Sequence, residues 1–270
     1  MKLGLICNYH VKKACSAADD IYNFLCKENE VFPENKFAKG KKLKGYSMEE
    51  INKEADVVVT VGGDGTILRA LEKIDKPVFA INSGGMGFLT EVESKYAKEG
   101  LQRVLDGKYN VEERAKIKVT IDGKRLPDAT NEVTVQTSRI AKIIYLQVLI
   151  EGELLETFGA DGVIVATPTG STSYALSAGG PILDPGVNAM VIAPLAPFKL
   201  AARPWVVPLE KEIQIKLLHK SKGSKIVIDG ESPIEVTPDS KIFITGSEEK
   251  ARFVRFGESF YQMVRLKLVR

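Results

Sequence analysis

The sequence predicts an α/β N-terminal domain with a parallel sheet, followed by a C-terminal all-β, sandwich-like domain. Three observations carry this. Before about residue 110, short apolar runs alternate with stretches of helical periodicity, the pattern of strands joined by helical crossovers. Beyond it, short strand-like runs recur with turn dipeptides between them. A length of 270 residues, 44% of them apolar, is enough to bury two cores.

In order, Lys2 to Cys7 reads as a buried strand, and residues 14 to 28 as a helix carrying Ala17, Ile21, Phe24 and Leu25 at helical spacing. Met48 to Ala55 reads as a short helix with Ser47 as its N-cap. Asp56 to Val61 is a strand, Ile67 to Ile74 a helix, Pro77 to Ile81 a strand and Tyr96 to Leu105 a helix. The texture changes over Lys108 to Arg114. Strand-like runs follow at Lys116–Ile121, Glu132–Thr137, Ile143–Glu151, Gly162–Ala166, Met190–Ala193, Glu212–Leu218, Lys225–Ile228 and Lys241–Thr245, with Asp122-Gly123 and Gly152-Glu153 as tight turns. The expected domains are therefore 1–110 and 111–252, with 253–270, a strand or a helix, packing back on the first.

Composition excludes several classes. A net charge of +3, with both signs interspersed, gives no footprint for nucleic acid, and Arg265, Lys267 and Arg270 read as a solvated basic cluster. Three cysteines (Cys7, Cys15 and Cys26) without a CxxC pair argue for reduced thiols rather than a disulfide framework or zinc site. Two histidines, His10 and His219, are too few for a His-rich metal centre. No run approaches the ~20 apolar residues that span a bilayer, and the N-terminal apolar run is too short for a signal peptide. A cytoplasmic protein is expected.

Three stretches carry chemistry. Gly62-Gly63-Asp64-Gly65-Thr66 follows a buried strand and opens a helix, at the carboxyl end of a parallel strand where open α/β sheets bind ligands. It is neither a Walker loop nor GxGxxG. As structure alone, it is a tight turn with Asp64 capping the helix. Asn82-Ser83-Gly84-Gly85-Met86-Gly87-Phe88-Leu89 is a second glycine-rich turn after the next strand, otherwise a connector. Asp161 to Pro181 joins a strand to a hydroxyl-rich loop whose Ser, Thr and backbone N–H donors suit phosphate or ribose oxygens, and Tyr174 can stack on a base. GxSxG is absent, which sets hydrolase chemistry aside. Asn131-Glu132 and Asp229-Gly230-Glu231 are uninformative alone, the latter reading as an ordinary hairpin turn.

Together these stretches resemble the NAD kinase family, which phosphorylates NAD to NADP. GGDGT at 62–66, NSGGMGFLTE at 82–91, NE at 131–132, DGVIVATPTGSTSYALSAGGPI at 161–182 and DGE at 229–231 occur in the family's order. GGDGT is shared with diacylglycerol and sphingosine kinases, whereas the long third motif is specific. The resemblance implies that Asp64 is the base for the 2′-hydroxyl of the adenosine ribose, with Gly62, Gly63 and Gly65 keeping the turn open and Gly65 against the nicotinamide nucleotide. It places Phe88 by the adenine-side pocket, Asn131 and Glu132 on ribose hydroxyls or adenine, and Asp161 toward the nicotinamide part. Thr172, Ser173, Tyr174 and Ser177 match the dinucleotide-binding loop, and Arg69, Lys142 and Ala196 fall at or near contact positions. The segment Ala193–Leu200 lacks the histidine of many bacterial members, and Gly159 stands where some members have one.

The implied reaction takes a phosphoryl group from ATP or polyphosphate with Mg²⁺ or another divalent ion on the donor phosphates, no certain protein ligand to the metal, and a homodimer or homotetramer as the assembly. A lipid kinase and a silent dinucleotide-binding regulator are the alternatives. NADP formation from NAD and Mg-ATP separates the three.

Overall fold

The computed structural model describes the chain except Met86, Leu200, 219–222, Glu258 and 269–270, and of Ser232 the backbone alone. Met86, Leu200, His219 and Arg270, named above, lie outside the described residues. The chain divides into two compact units, Met1–Glu113 with Ala251–Arg270, and Arg114–Lys250.

The first unit alternates strands and helices: β1 (Lys2–Cys7), α1 (Lys12–Leu25), β2 (Glu30–Pro33), α2 (Asn35–Ala38), α3 (Met48–Glu54), β3 (Val57–Gly62), α4 (Asp64–Leu71), β4 (Val78–Asn82), β5 (Val92–Glu93) and α5 (Ala97–Leu105). The strands run parallel in the order β4-β3-β1-β2, with β5 on β4. β3 is central and buried at every residue, which explains its unbroken Val-rich run. One face of the sheet packs Leu3, Leu5, Val59 and Ile81 against Ile21 and Leu25 of α1 and Leu101 of α5. The other packs Ile6, Val58 and Ala80 against Ile51 of α3 and Ile67 and Leu71 of α4. Ser47 caps α3 as expected, in a full capping box with Glu50.

Two helix boundaries differ from expectation. α1 stops at Leu25, before residue 28. α4 spans Asp64–Leu71 rather than 67–74, because Gly63, in extended conformation, takes the N-cap position and lets the helix begin three residues early. Asp64 is consequently not the cap.

The second unit holds β7 (Lys124–Arg125), β8 (Glu132–Thr137), β9 (Ile144–Ile150), β10 (Glu153–Ala160), β11 (Gly162–Ala166), the short α6 (Tyr174–Ser177), β12 (Ala189–Leu195), β13 (Trp205–Pro208), β14 (Ile213–Leu217), β15 (Ser224–Ile228) and β16 (Glu231–Val236). β6 (Asn110–Ile121) and β17 (Ile242–Arg255) each contribute residues to both units, and α7 (Phe260–Leu268) ends the chain in the first. An antiparallel run β10-β9-β14-β17 and an antiparallel sheet β13-β12-β11-β8-β15-β16 make a sandwich. Leu146, Val148, Ile213 and Ile244 of the former share one core with Val133, Val163, Val165 and Ile226 of the latter. The fold is thus the α/β domain plus β-sandwich that the sequence predicts. Three hairpin turns, Asp122-Gly123, Glu151-Gly152 and Asp229-Gly230, have positive φ at both residues, the geometry that matches strand twist.

Candidate active site

Each unit carries a cluster of the sequence-predicted residues. In the first unit, β3 delivers Gly62 at its carboxyl end and α4 starts at Asp64. The Asp64 carboxylate points back to the second glycine-rich turn: Oδ2 accepts the backbone N–H of Phe88 at 2.7 Å and Oδ1 that of Leu89 at 3.1 Å. Each oxygen keeps a second lone pair for another donor. The approach is possible because residue 87 is glycine; a Cβ there would stand 2.6 Å from Asp64 Oδ1. Gly63 and Gly65 face open space, with nothing within 4 Å of an added Cβ, and Gly65 is exposed. Asn82 shapes the second turn, donating from Nδ2 to the Gly85 carbonyl at 3.0 Å and accepting the Gly84 N–H at 2.8 Å. Phe88 is half-buried, with the Lys267 ammonium 5.2 Å from its ring centroid. Beside this turn lies a cavity of about 1140 Å³. Its walls alternate Glu91 and Glu99 with Arg103 and Lys267, so its charge does not by itself select an anion.

Arg69 is occupied. Its guanidinium donates to both carboxylate oxygens of buried Glu34, at 2.9 Å to Oε2, and to the Cys7 carbonyl at 3.1 Å. This fork ties α4 to β1 and to the residue after β2.

In the second unit, three motifs separated in sequence meet on residues 130–132. Asp229, in the hairpin turn after β15, accepts the Thr130 N–H on Oδ2 at 2.7 Å and the N–H groups of Asn131 and Glu132 on Oδ1 at 2.8 and 2.9 Å. The Asp229 N–H returns a bond to the Glu132 carbonyl at 3.0 Å. Thr167 donates from Oγ1 to the Thr130 carbonyl at 2.6 Å and from N to the Asn131 carbonyl at 2.8 Å. Gly170 packs so closely that a Cβ would lie 2.1 Å from the Asn131 carbonyl oxygen. The segment is therefore held on both its donor and its acceptor side.

The side chains so held are buried and incompletely satisfied. Asn131 and Glu132 are 7% and 8% exposed. Asn131 Oδ1 and Glu132 Oε2 find no hydrogen-bond partner among the described residues, while Glu132 Oε1 accepts from Ser173 Oγ at 3.3 Å. Buried polar atoms without protein partners are rare, and a water or a ligand can satisfy them. Burial, then the Asp229 charge, pushes the Glu132 carboxyl up to about 8. Burial also raises the Asp229 carboxyl, against the three amides that lower it.

The other predicted residues surround this segment or stand apart from it. Thr172 and Ser173 follow Gly170 and are half-buried; Tyr174 and Ser177, at the two ends of α6, are exposed. Ser171 serves the loop itself, donating to the Pro168 carbonyl and accepting the Leu183 N–H. Asp161 and Ala196 lie together at one end of the β11–β12 pair, where the Asp161 N–H bonds the Leu195 carbonyl at 2.9 Å. Lys142 is exposed in the loop before β9. The sequence reading kept Asp229 as a hairpin turn and gave Thr167 and Gly170, inside the long third motif, no role of their own. The signal was the DGE turn, whose acid at a type I′ position also suits an ordinary hairpin.

No helix among the described residues is long and apolar enough to cross a membrane. No group of three or more His, Cys, Asp or Glu stands together as a metal site among them.

The acid-bearing glycine-rich turn of the first unit, and the hydroxyl-rich loop with orphaned carboxamide and carboxyl oxygens of the second, each suit a nucleotide phosphotransferase. Residues 3–109 match the ATP-NAD kinase N-terminal domain and residues 130–256 the ATP-NAD kinase C-terminal domain. The chain belongs to the ATP-NAD kinase family. Curated relatives include an NAD kinase of Methanothermobacter thermautotrophicus, 41% identical over 100% of this chain and 96% of the relative. Another is an NAD kinase of Thermoplasma volcanium, 40% identical over 100% and 98%. Among solved structures, yeast NADH kinase complexed with NADH is similar with a TM-score of 0.90 at 25% identity, covering 100% of this chain and 87% of that one. An NAD kinase from Archaeoglobus fulgidus in complex with ATP gives 0.78 at 30% identity, covering 98% and 99%.

Proposed function

We propose that this chain phosphorylates NAD to NADP, moving the terminal phosphoryl group of ATP onto the 2′-hydroxyl of the adenosine ribose, with a divalent ion entering on the donor phosphates. The observation that carries the reading is the Asp64 carboxylate, anchored through one lone pair on each oxygen by the Phe88 and Leu89 amides at the end of β3. A carboxylate so held is oriented in advance and still has lone pairs to accept the proton of an attacking hydroxyl. Open space at Gly63 and Gly65 leaves room for substrate against the backbone. Phosphoryl transfer asks the protein chiefly for positioning and charge stabilisation, so a single oriented base suffices for the proton.

Asn131, Glu132, Ser173, Tyr174 and Ser177 would bind NAD. Asn131 Oδ1 is an acceptor without a donor and Glu132 Oε2 is unpartnered; ribose hydroxyls, which both donate and accept, and the adenine amino group, a donor, could meet them. Phe88, Thr172, Asp161, Lys142 and Ala196 are further proposed contacts. Arg69 acts through Glu34 and Cys7, holding the helix that carries Asp64. A cytoplasmic homodimer or homotetramer is the assembly proposed from the family resemblance.

The test is NADP formation from NAD and Mg-ATP, run in parallel with NADH and with polyphosphate. No NADP or NADPH from any combination overturns the reading; a phosphorylated lipid in place of NADP would assign a lipid kinase.

A further inference from the structure

The DGE turn contributes no side chain to the proposed chemistry, yet Asp229 is the most heavily hydrogen-bonded carboxylate of the second unit's cluster. It accepts three consecutive backbone N–H groups, those of Thr130, Asn131 and Glu132, at 2.7 to 2.9 Å. Three amides converging on one carboxylate resemble an anion nest turned inward: the protein supplies the anion itself.

The geometry requires an unusual backbone. Asp229 has φ +47° and Gly230 φ +79°, the type I′ turn that joins β15 to β16. Asp and Asn tolerate this left-handed position better than other side-chain-bearing residues. The turn aims the carboxylate at the start of β8, across a pairing in which Ile228 faces Val133.

What is held is two residues whose outward atoms are unpartnered. Asn131 Oδ1 and Glu132 Oε2 are buried with no partner among the described residues, while the backbone that carries them is bonded at every N–H and at the carbonyls of 130, 131 and 132. A segment with a saturated backbone and unsaturated side chains is built to present those side chains.

We propose that Asp229 is a positioning residue for the acceptor dinucleotide: by gathering the amides of residues 130–132 onto one carboxylate, it aims Asn131 and Glu132 at hydroxyl or amino donors of NAD. Asp229 touches neither substrate, and its role rests on the assignment of NAD as acceptor. Lys116 acts favourably on the Asp229 charge from β6, and Glu132 is the acid beside it.

The test is Asp229→Asn in the full chain, with KM for NAD and KM for ATP measured separately. Asn keeps the shape and the left-handed tolerance but offers one acceptor oxygen, and its amide group faces an N–H donor instead of accepting it. The expected result is a rise in KM for NAD of about tenfold or more, with KM for ATP within about twofold. KM values that both stay at wild-type level, or that rise together, would overturn the proposal. A second measurement needs no variant: in wild-type protein without nucleotide, the amides of residues 130–132 should exchange with deuterium slowly. Fast exchange that slows only when NAD is added would equally overturn it. Wild-type NADP formation reports separately on the function, so a failed assignment of NAD and a failed positioning role give different results.

Discussion

The carboxylate of Asp64 accepts the backbone amide of Phe88 at 2.7 Å, joining two glycine-rich turns 24 residues apart in sequence. One turn follows β3 and the other β4, and these strands pair in parallel with Gly62 opposite Asn82. The register of two buried strands thus sets where this carboxylate points. Replacing Asp64 by Asn keeps an acceptor for one amide and removes the proposed base. The expected loss in kcat is about 10²- to 10⁴-fold, with the NAD dissociation constant changed only a few-fold; NADP formation and calorimetric titration measure the two.

Gly87 is the contact that permits this geometry, since a Cβ there would meet Asp64 Oδ1 at 2.6 Å. Gly87→Ala should displace the carboxylate and lower kcat by about tenfold or more, because misplacement on the order of an ångström is costly to an oriented group. The far-ultraviolet circular dichroism spectrum should be unchanged.

Glu132 gives a pH signature. Its carboxyl is raised from 4.5 to about 8 by burial and by Asp229. A raised folded value means the protonated form is the one the fold favours. Its contribution to stability is therefore fully present below about pH 4.5 and lost as pH rises through about 8. The melting temperature of the wild type should fall from pH 5 to pH 9 by about 3 °C or more beyond any fall in Glu132→Gln, which cannot ionise. Parallel pH profiles for the two proteins would refute this.

The cysteines should react in order of exposure. Burial, with the Cys15 thiol beside it, pushes the Cys7 thiol up to about 12, whereas Cys26 is exposed. Iodoacetamide at pH 8 should label Cys26 first and leave Cys7 unmodified until denaturant is added, as read by peptide mass spectrometry.

Glu34, 4% exposed, is the bidentate partner of Arg69. Glu34→Gln leaves a largely buried guanidinium with a neutral partner. It should destabilise the chain by about 1–3 kcal/mol in urea unfolding, discounted because Arg69 keeps some solvent contact.

Periodicity made most of the architecture legible. The central strands are buried on both faces and show as unbroken apolar runs, as in Val57-Val58-Val59 and Val163-Ile164-Val165. Besides the two-residue β5 and β7, the strands that went unread, β2, β10, β13 and β16, end their sheets. A terminal strand is hydrogen-bonded on one side only and tolerates Pro33, Pro208, Pro233 and exposed side chains, so its apolar pattern is weak. The motifs were equally legible, because glycine, acid and hydroxyl residues at fixed spacing are local features.

By itself, then, the sequence determined the two-part architecture, the turn that carries Asp64 and the membership of a kinase family. Only the tertiary structure decided which groups each acid serves: Phe88 and Leu89 for Asp64, Arg69 for Glu34, and three amides nearly a hundred residues away for Asp229. The reason is physical. Burial periodicity is written along the chain, but a hydrogen bond between distant residues depends on strand order and register, which exist only once the sheets have formed.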